Sequence, residues 1–441
     1  MTLRPLCPIL IAVVSVFSWS QTATTTAGSS AHAPNARPSI SFQDALQRAK
    51  INSAQFRAAL TQSGLAREDS VQARAALLPN VNYTTGAIYT QPTRESTPRY
   101  IAANGVREYI SQGNIHQSIG FTTVADYRRA HAAEAFARAR AEIAARGLVL
   151  TVTQNYYGAI ASQRKRENAE QAANEANHFL TLSQQLEKGG EVAHSDVIKA
   201  QLQANDRQRD LQEARLAEEK SRLDLAVLVF PTFTEEFDLV DDLRFAVPLP
   251  QFTEAEALAA KNNAELKAAL AAVQVANNEY QAAVGGHLPT LTLDYFYGID
   301  APTYATYTNG VRNLGYQMAA TLQLPVFNWG ATQSKVRQAK LQRTQAQVEL
   351  SAAQRQALAD LRMFYAEAST AKEQIETLRQ SEALAADSLR LTTLRYRSGE
   401  ATALEVVDAQ NSLAQARNNF DDGEVRYRVA LANLQTLTGT F

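Results

Sequence analysis

An internal duplication constrains this chain more than any other feature of its sequence. Within the 441 residues, one residue pattern occurs twice at an offset of 210 positions, without a gap. The matched positions include Phe42, Ala45, Asn52, Leu78 and Pro79 in the first copy and Phe252, Ala255, Asn262, Leu288 and Pro289 in the second. A later block repeats at an offset of 209, where Gly190-Glu191 matches Gly399-Glu400. We therefore predict two equivalent halves, residues 41–230 and 252–441, joined by a linker at 231–251.

Each half is predicted to contain the same series of elements. An Ala-rich helical segment ends at Leu-Pro, because proline stops the helix, and two alternating stretches follow it. Next comes a long helix, predicted at 126–188 and 330–397, which turns at Gly190 or Gly399 into a returning helix. A helix of roughly 60 residues measures about 90 Å. Such a helix has to pack laterally along its length.

Small and apolar residues mark the packing seam of the long helices. They recur every seven residues at Leu350, Ala357, Phe364, Ala371, Leu378 and Ala385, beside an alanine row at Ala339, Ala346 and Ala353. This period predicts helices in sustained side-by-side contact. Between the repeated blocks the offset falls to 202, where 124–126 matches 326–328, so a loop in the first half is predicted to be about eight residues longer. We expect the second half to regain seven residues as one heptad of helix, which would leave the seam in place.

Between the helices, the second half contains two stretches of strict alternation. Apolar residues point one way from each stretch: Leu291, Leu293, Tyr295, Tyr297 and Ile299 on the first, and Leu314, Tyr316, Met318 and Leu322 on the second. Small and polar residues alternate with them, and the first half repeats the pattern more weakly at 81–89 and 115–122. About ten residues of such alternation is typical of a membrane-barrel strand whose apolar row faces lipid. A soluble, half-buried sheet alternates as well, but the small, polar opposite face suits a wet lumen.

The ends of the alternating stretches also fit a membrane. Tyr89, Tyr109, Tyr297 and Tyr316 lie near them, as in an interfacial aromatic girdle. The loops at 92–108 and 300–312 are polar and are predicted to lie outside the membrane. Four strands cannot close, because single-chain barrels begin at about eight, and open edges in lipid would leave backbone groups without partners. Several copies must therefore share one barrel, two giving eight strands and three giving twelve.

Composition excludes several classes of function. Lys plus Arg (43) nearly balances Asp plus Glu (44), so the net charge of -1 gives no general attraction to nucleic acid. Residues 1–20 have the charged start, apolar run and small residues of a secretory signal peptide, and residues 21–40 are predicted to be a flexible leader. The only cysteine, Cys7, lies in that signal, so no disulfide is expected. No histidine pair has metal-ligand spacing, and no phosphate-binding loop or nucleophile elbow occurs, so we expect no metal, cofactor or enzyme activity.

The doubled plan resembles that of a known family. With the Leu-Pro before each first strand, the run Tyr396-Arg397-Ser398-Gly399-Glu400 leading to Glu405-Val406-Val407-Asp408 resembles the TolC-like outer-membrane efflux proteins, over residues 40–441. The resemblance implies an α+β membrane protein. Three copies would each give four strands to a twelve-stranded transmembrane β-barrel in the outer membrane, continued by a coiled-coil α-helical barrel across the periplasm.

The function that the resemblance implies is that of a passive exit duct in a tripartite efflux or type I secretion system. Its partners would be a periplasmic adaptor and an inner-membrane pump, which would supply the energy. A periplasmic coiled-coil adaptor or scaffold without a membrane barrel is the alternative, and in it the alternating stretches would form a soluble sheet. The sequence leaves the exported substrate and the pump open.

The resemblance also implies functional positions. Gly190-Glu191 and Gly399-Glu400 correspond to hairpin tips that meet the adaptor, although glycines at helix ends are also plain turn residues. Asp196, Tyr396, Glu405 and Asp408 correspond to positions that close the aperture. Ala401 stands where some members carry a tip arginine, so a latch built on that arginine is not expected.

The spacing of Glu405 and Asp408 carries an independent argument. Residues three apart share one helix face. Repeated by symmetry at a constriction, the two carboxylates would form an acidic ring that attracts cations. An ordinary solvated helix face is the simpler alternative. The ring hypothesis predicts that neutralising both residues lowers cation selectivity.

Overall fold

The computed structural model describes residues 38–90, 107–232, 236–244 and 247–440. The predicted signal peptide and residues 21–37 of the leader lie outside these ranges. In chain order the elements are β1 (Ser39–Ile40), α1 (Phe42–Asn52), α2 (Ala54–Ala75), β2 (Asn80–Tyr89), β3 (Arg107–Ile119), α3 (Phe121–Lys188), α4 (His194–Val229), β4 (Asp238–Leu239), α5 (Phe252–Asn262), α6 (Ala264–Gly285), β5 (Thr290–Ala301), β6 (Tyr307–Thr308), β7 (Val311–Arg312), β8 (Leu314–Gln323), α7 (Ala331–Arg397) and α8 (Ala403–Thr438).

The helices reproduce the duplication closely. α1 and α5 have 11 residues each, α2 and α6 have 22, α3 and α7 have 68 and 67, and α4 and α8 have 36. One repeated asparagine makes the same contact in both halves, since the Asn52 amide donates to the Val229 carbonyl at 2.6 Å and the Asn262 amide donates to the Thr438 carbonyl at 3.1 Å. Each asparagine thus satisfies a carbonyl at the end of the returning helix of its half.

The predicted extra heptad of helix in the second half is wrong. α3 and α7 begin 210 positions apart, so neither long helix contains an extra heptad. Residues 124–126 are helical, whereas residues 326–328 belong to a non-helical segment at 324–330, and only Gly120 separates β3 from α3. The junction has seven residues in the second half and one in the first, so six residues were added between a strand and a helix, where an insertion leaves the helix packing undisturbed.

The four long strands form one antiparallel sheet in the order β2-β3-β5-β8. Its register aligns the predicted apolar rows: Tyr297 lies opposite Tyr316, and Tyr295 lies opposite both Met318 and Ile115. Because directly opposed residues share a face, the predicted apolar rows of all four strands lie on one face of the sheet. Most of the polar strand residues lie on the other face, where His116 Nδ1 is 2.8 Å from an Asp294 carboxylate oxygen.

The strands and loops differ from the predicted ones in three places. β3 ends at Ile119, so Phe121 and Thr122 begin α3 and are not part of the strand. β3 also begins at Arg107, and residues 91–106 of the predicted first loop lie outside the described ranges. The predicted second loop is partly ordered, since β5 extends to Ala301 and β6 pairs with β7 as a short hairpin. Backbone pairing extends each strand past the residues that alternate most clearly.

The predicted seam of α7 is confirmed. Ala339, Ala346, Ala357 and Ala371 are buried, and the other predicted seam residues are half-buried or lie at the edge of the contact. α7 packs against α6 in its first part and along α8 in its second. Small side chains at these contacts let the helix backbones approach closely.

The helices form a wall that follows the order of the strands. α3 packs against α2 on one side and α6 on the other, and α6 packs against α7, which gives the order α2-α3-α6-α7. Below them, the long hairpins continue in the order α4-α3-α8-α7. Sheet and wall therefore share the same two edges, one carrying β2, α2 and α4, and the other carrying β8 and α7.

The middle of the molecule is held by the linker between the halves. β1 pairs with β4 in parallel, and the Tyr156 hydroxyl lies 3.1 Å from the Ile40 carbonyl oxygen and 2.7 Å from that of Val240. Ile40 is buried in the adjacent core. This corrects the predicted boundary of the leader at residue 40, because burial of Ile40 and pairing with the linker order Ser39–Ile40.

A buried cluster of charges joins the same linker to both halves. Arg164 of α3 makes two hydrogen bonds to Asp241 of the linker, at 2.6 and 2.8 Å. Its remaining Nη1 group lies against Asp421 and Glu424 of α8. Burial raises the pKa of both α8 carboxyls, and Arg164 opposes that rise.

Candidate functional site: the hairpin tips

The two hairpins end in turns of the same geometry. Gly190 and Gly399 both have φ of +76°, a left-handed conformation that favours glycine. Glu191 N–H donates to the Leu186 carbonyl at 2.9 Å, and Glu400 N–H donates to the Arg395 carbonyl at 2.8 Å. With the glycine N–H bonds to Glu187 and Tyr396, these form a Schellman motif at each tip. The four predicted docking residues therefore occupy equivalent places at the end of the molecule remote from the sheet.

The helices that leave the two turns begin differently. α8 starts with a capping box in which the Thr402 hydroxyl accepts from the Glu405 N–H, and the Glu405 carboxylate accepts from the Thr402 N–H at 3.0 Å. α4 starts after Ala193, which offers no side-chain cap. At that first tip, His194 Nδ1 instead lies 2.7 Å from the Glu187 carboxylate, on an exposed surface.

Tyr396 is buried between the hairpins, with 2% of its surface exposed. Its hydroxyl donates to the Ser183 hydroxyl of α3 at 3.1 Å, and its ring meets the Phe179 ring edge to face at 5.0 Å. Burial raises the pKa of Tyr396, and the nearby Asp196 charge adds to that rise. Tyr396 therefore holds α7 against α3 at the tip, and it does not present its ring to a surface.

The predicted acidic residues are in three different states. Asp196 is partly buried, and one carboxylate oxygen lies 3.5 Å from the Lys199 ammonium. Glu405 is exposed, but Thr402 and then Arg395, at 3.4 Å, hold its pKa below the usual value. Asp408 is exposed on the same helix face as Glu405. Within the described ranges its carboxylate has no hydrogen-bond or ion-pair partner.

Sequence reasoning missed several residues that join the hairpins. The Asn411 side-chain oxygen accepts from Gln203 at 2.9 Å and also from Arg207, which ties α8 to α4. Ser183 and Arg395 are equally important at the tip, as partners of Tyr396 and Glu405. Polar residues on long helices occur everywhere, so only the match of position 396 to the family pattern could have pointed to Ser183. The second tip therefore presents the exposed carboxylates of Glu405 and Asp408 beside the Arg395 guanidinium.

The comparisons with known proteins agree with this geometry. A family model described as "Outer membrane efflux protein" matches residues 45–229 and 257–440, one segment in each predicted half. The chain is 28% identical to outer membrane protein TolC of Vibrio cholerae over 403 residues, 89% of each chain. It is 25% identical to proteases secretion protein PrtF of Dickeya chrysanthemi over 424 residues, 90% of this chain and 87% of that one.

A solved structure shows the same fold. The CmeC outer membrane channel of Campylobacter jejuni superposes with a TM-score of 0.78 at 16% identity, covering 90% of this chain and 85% of the other. Among the helices that the structure describes, none has both the length and the apolarity needed to cross a lipid bilayer. The fold is thus that of a channel subunit with a four-stranded sheet at one end and two long hairpins at the other.

Proposed function

Because this chain belongs to the outer membrane efflux protein family, we propose that three copies close one twelve-stranded barrel and one helical tunnel. The protein is an outer-membrane channel, an exit duct for efflux or secretion whose helices lie in the periplasm. The alternative of a periplasmic adaptor or scaffold without a barrel does not agree with this family. The proposal that three copies assemble rests on the structure of the single chain.

One observation carries the proposal: the sheet and the helical wall end at the same two edges. β2 and β8 are the edge strands, and α2 with α4 lie below one while α7 lies below the other. The strands have 10 to 13 residues, long enough to span a bilayer when tilted. Backbone groups on open edges would have no partner in lipid, so the β8 edge of one copy has to meet the β2 edge of the next.

The lumen favours three copies over two. An eight-stranded barrel is just wide enough to be filled by its own side chains, and such a barrel leaves no duct. Three copies give three times four strands and, at each level of the wall, three times four helices. Twelve strands leave a lumen for a solute, and the matched wall continues it.

Exposed apolar residues on both edges support the same contact. On α7, Leu341 and Val348, and farther down Leu384 and Leu391, are exposed at seven-residue spacing. On α4, Leu202, Leu216 and Leu223 are exposed with spacings of 14 and 7. Stripes with this period suit lateral packing between helices. In the assembly, the α7 stripe of one copy would cover the α2 and α4 edge of its neighbour.

The hairpin tips are the proposed partner surface and gate. Gly190, Glu191, Gly399 and Glu400 would meet a periplasmic adaptor, which in turn would engage an inner-membrane pump that supplies the energy. Asp196, Glu405 and Asp408 would surround the aperture, with Tyr396 behind them holding the hairpins together. The duct itself would be passive and not an enzyme, with neither metal nor cofactor. The protease-secretion relative supports polypeptide export as one use of the same architecture.

Disulfide cross-linking tests the assembly. In one chain β2 and β8 are three strand spacings apart, about 14 Å. A disulfide requires Cα atoms within about 7 Å. Oxidised V81C/L322C and its register neighbours V81C/A320C and V81C/M318C should therefore give cross-linked dimers and trimers on denaturing gels. The control V81C/I115C joins directly opposed residues of one chain and should stay monomeric. A purified protein that remains a stable monomer without detergent, with no intermolecular cross-link, would contradict the shared barrel.

A further inference from the structure

The junction segment, residues 324–330, is the most exposed apolar part of the described chain. It joins β8 to α7 and has the sequence Leu-Pro-Val-Phe-Asn-Trp-Gly. Trp329 is 91% exposed, Val326 86% and Phe327 74%. The Phe327 and Trp329 rings touch each other edge to face, with centroids 4.9 Å apart. Large apolar side chains concentrated in a short non-helical segment indicate a surface that something else covers.

The backbone of this segment is strained in order to present its tryptophan. Trp329 has φ of +53°, a left-handed conformation in which a bulky residue is an outlier, and Gly330 follows at +80°. Glycine or asparagine would adopt the Trp329 conformation more easily. The first half has no equivalent, because Gly120 alone joins β3 to α3. An added segment that keeps an aromatic residue at a strained position points to a role for the side chain.

The position of the segment identifies what would cover it. α2, α3, α6 and α7 all join the sheet at one end, which is the periplasmic end in the proposed duct. Leu324 continues the even-numbered apolar row of β8, whose Met318 and Leu322 are exposed on the proposed lipid face. The segment is thus a continuation of that face at the membrane boundary.

Four tyrosines of the strands lie toward the opposite end. Tyr89, Tyr109, Tyr297 and Tyr316 all fall in the half of the sheet remote from the helices. Membrane barrels carry aromatic residues at both interfaces, because an amphipathic ring suits the headgroup level. The strand residues nearest the helices, 80–82, 114–119, 290–294 and 318–323, include no phenylalanine, tyrosine or tryptophan, so Phe327 and Trp329 could supply the periplasmic girdle.

We propose that the junction segment anchors each copy in the periplasmic leaflet, with Phe327 and Trp329 at the level of the phospholipid headgroups. The inference rests on the proposed barrel and adds to it a lipid contact that fixes the depth of the sheet. A neighbouring copy is the other candidate to cover the segment. Lipid is favoured because the segment continues the lipid face and combines apolar rings with the indole N–H, which suits a boundary between lipid and water. The exposed stripe of α7 that would meet a neighbouring copy, by contrast, is aliphatic, with Leu341, Val348, Leu384 and Leu391.

Tryptophan fluorescence tests the proposal directly. The chain has two tryptophans, Trp19 and Trp329, so in the W19F protein Trp329 is the only one. This protein is reconstituted into phosphatidylcholine vesicles that carry bromine at a series of acyl-chain depths. We expect a blue-shifted emission and quenching that is strongest with bromine near the headgroup and weakest with bromine near the bilayer centre. A W19F/W329F/Y316W protein serves as the control for a probe at the other interface.

The possible results distinguish lipid, a neighbouring copy and water as the surroundings of Trp329. Blue-shifted emission that no brominated lipid quenches would place Trp329 against a neighbouring copy and overturn the proposal. Emission that is quenched by acrylamide in water, and not by brominated lipid, would overturn it as well. Channel conductance and V81C/L322C cross-linking are measured on the same preparation. If both are normal while lipid quenching is absent, only the anchor fails; if both are absent, the proposed function fails first.

Discussion

The two long hairpins have the same shape and different surroundings. α3 and α7 differ by one residue in length, and their tips share one hydrogen-bond pattern. α3 is enclosed by α2, α4, α6 and α8, and Val152, Tyr156 and Ile160 are buried along it. α7 packs mainly against α6 and α8 and leaves apolar residues exposed. The two hairpins therefore share one geometry but differ in their contacts. The long helix of the first hairpin is enclosed by other helices, and that of the second forms an open edge of the copy.

The largest expected effect concerns Arg164 of the first hairpin, which lies against two buried carboxylates of α8. In R164M, Asp421 and Glu424 would stay buried without the Arg164 guanidinium, and breaking such a buried ion pair typically costs about 3–5 kcal/mol of unfolding free energy. The position of α7 that corresponds to Arg164 at offset 210 is Gln374, an exposed residue. Q374M should change the unfolding free energy by less than about 0.5 kcal/mol. Thermal unfolding of both variants in the same detergent measures the difference, and equal melting temperatures would show that the hairpins do not differ in this way.

The pH dependence of R164M sharpens the same comparison. Burial raises the native pKa of Asp421 and Glu424 above the unfolded value, so the native state binds protons more tightly. Protonation then adds stability as the pH falls, and this gain is lost as the pH rises through the raised native pKa. Without Arg164 the rise is opposed only by Asn168 at Asp421 and by Arg244 at Glu424. The deficit of R164M should therefore be largest at neutral pH and shrink on acidification. A deficit independent of pH would mean that lost packing, and not buried charge, is its cause.

The next effect concerns the contact between the hairpins at the tip. Y396F removes the partner of the Ser183 hydroxyl, which is fully buried, so the variant should lose about 1–3 kcal/mol of unfolding free energy. Y396F/S183A should recover part of that loss, because neither polar group then remains unpaired. The corresponding residue of the first tip is Glu187, and E187Q should have little effect on stability. Amide hydrogen exchange at residues 179–186 reports the local change, and unchanged exchange in Y396F would contradict the contact.

A third effect concerns the first turns of α4 and α8, where the capping side chain can be added to one helix and removed from the other. T402A removes the capping hydroxyl of α8 and should destabilise the first turn by about 1 kcal/mol. A193S should do the reverse at α4, since it would provide a hydroxyl three residues before Asp196. Amide exchange rates of residues 404–407 and 195–198 measure the two changes. If A193S slows no exchange, the first tip differs from the second in more than its cap.

The sequence predicts the parts of this molecule that depend on local pattern. Period-seven seams and period-two strands indicated the helices and the apolar face, and the turn glycines indicated both tips. The junction segment was placed wrongly, because a repeated pattern shows that residues were added and not whether they lie in a helix or a loop. The partners Ser183, Arg395 and Asn411 were missed, since each is a polar residue on a long helix and acquires its role only when another helix packs against it. Burial of Tyr396 was missed for the same reason.

The smallest effect separates the two carboxylates of the proposed aperture. Glu405 is held by Thr402 and lies 3.4 Å from Arg395, so its charge is partly compensated, whereas Asp408 is exposed on the same face and, within the described ranges, lacks such a partner. D408N should therefore lower the ratio of cation to anion permeability more than E405Q does, and E405Q/D408N should lower it further. R395Q should raise the ratio by releasing Glu405. Each change should stay below a factor of ten, because exposed charges are screened over about 10 Å at 0.1 M salt.

Reversal potentials in planar bilayers under a salt gradient measure these ratios, and E187Q at the first tip is the matched control. Equal effects of E405Q and D408N would show that Arg395 does not compensate Glu405 at the mouth of the duct. Unchanged selectivity in E405Q/D408N would mean that neither carboxylate lines the aperture and that the acidic face is merely solvated. If D408N lowers the cation selectivity and R395Q raises it, the charges that distinguish the second tip from the first lie in the path of the permeating ion. The capping box of α8 holds Glu405 in place, and it would then contribute to the ion selectivity at the second hairpin.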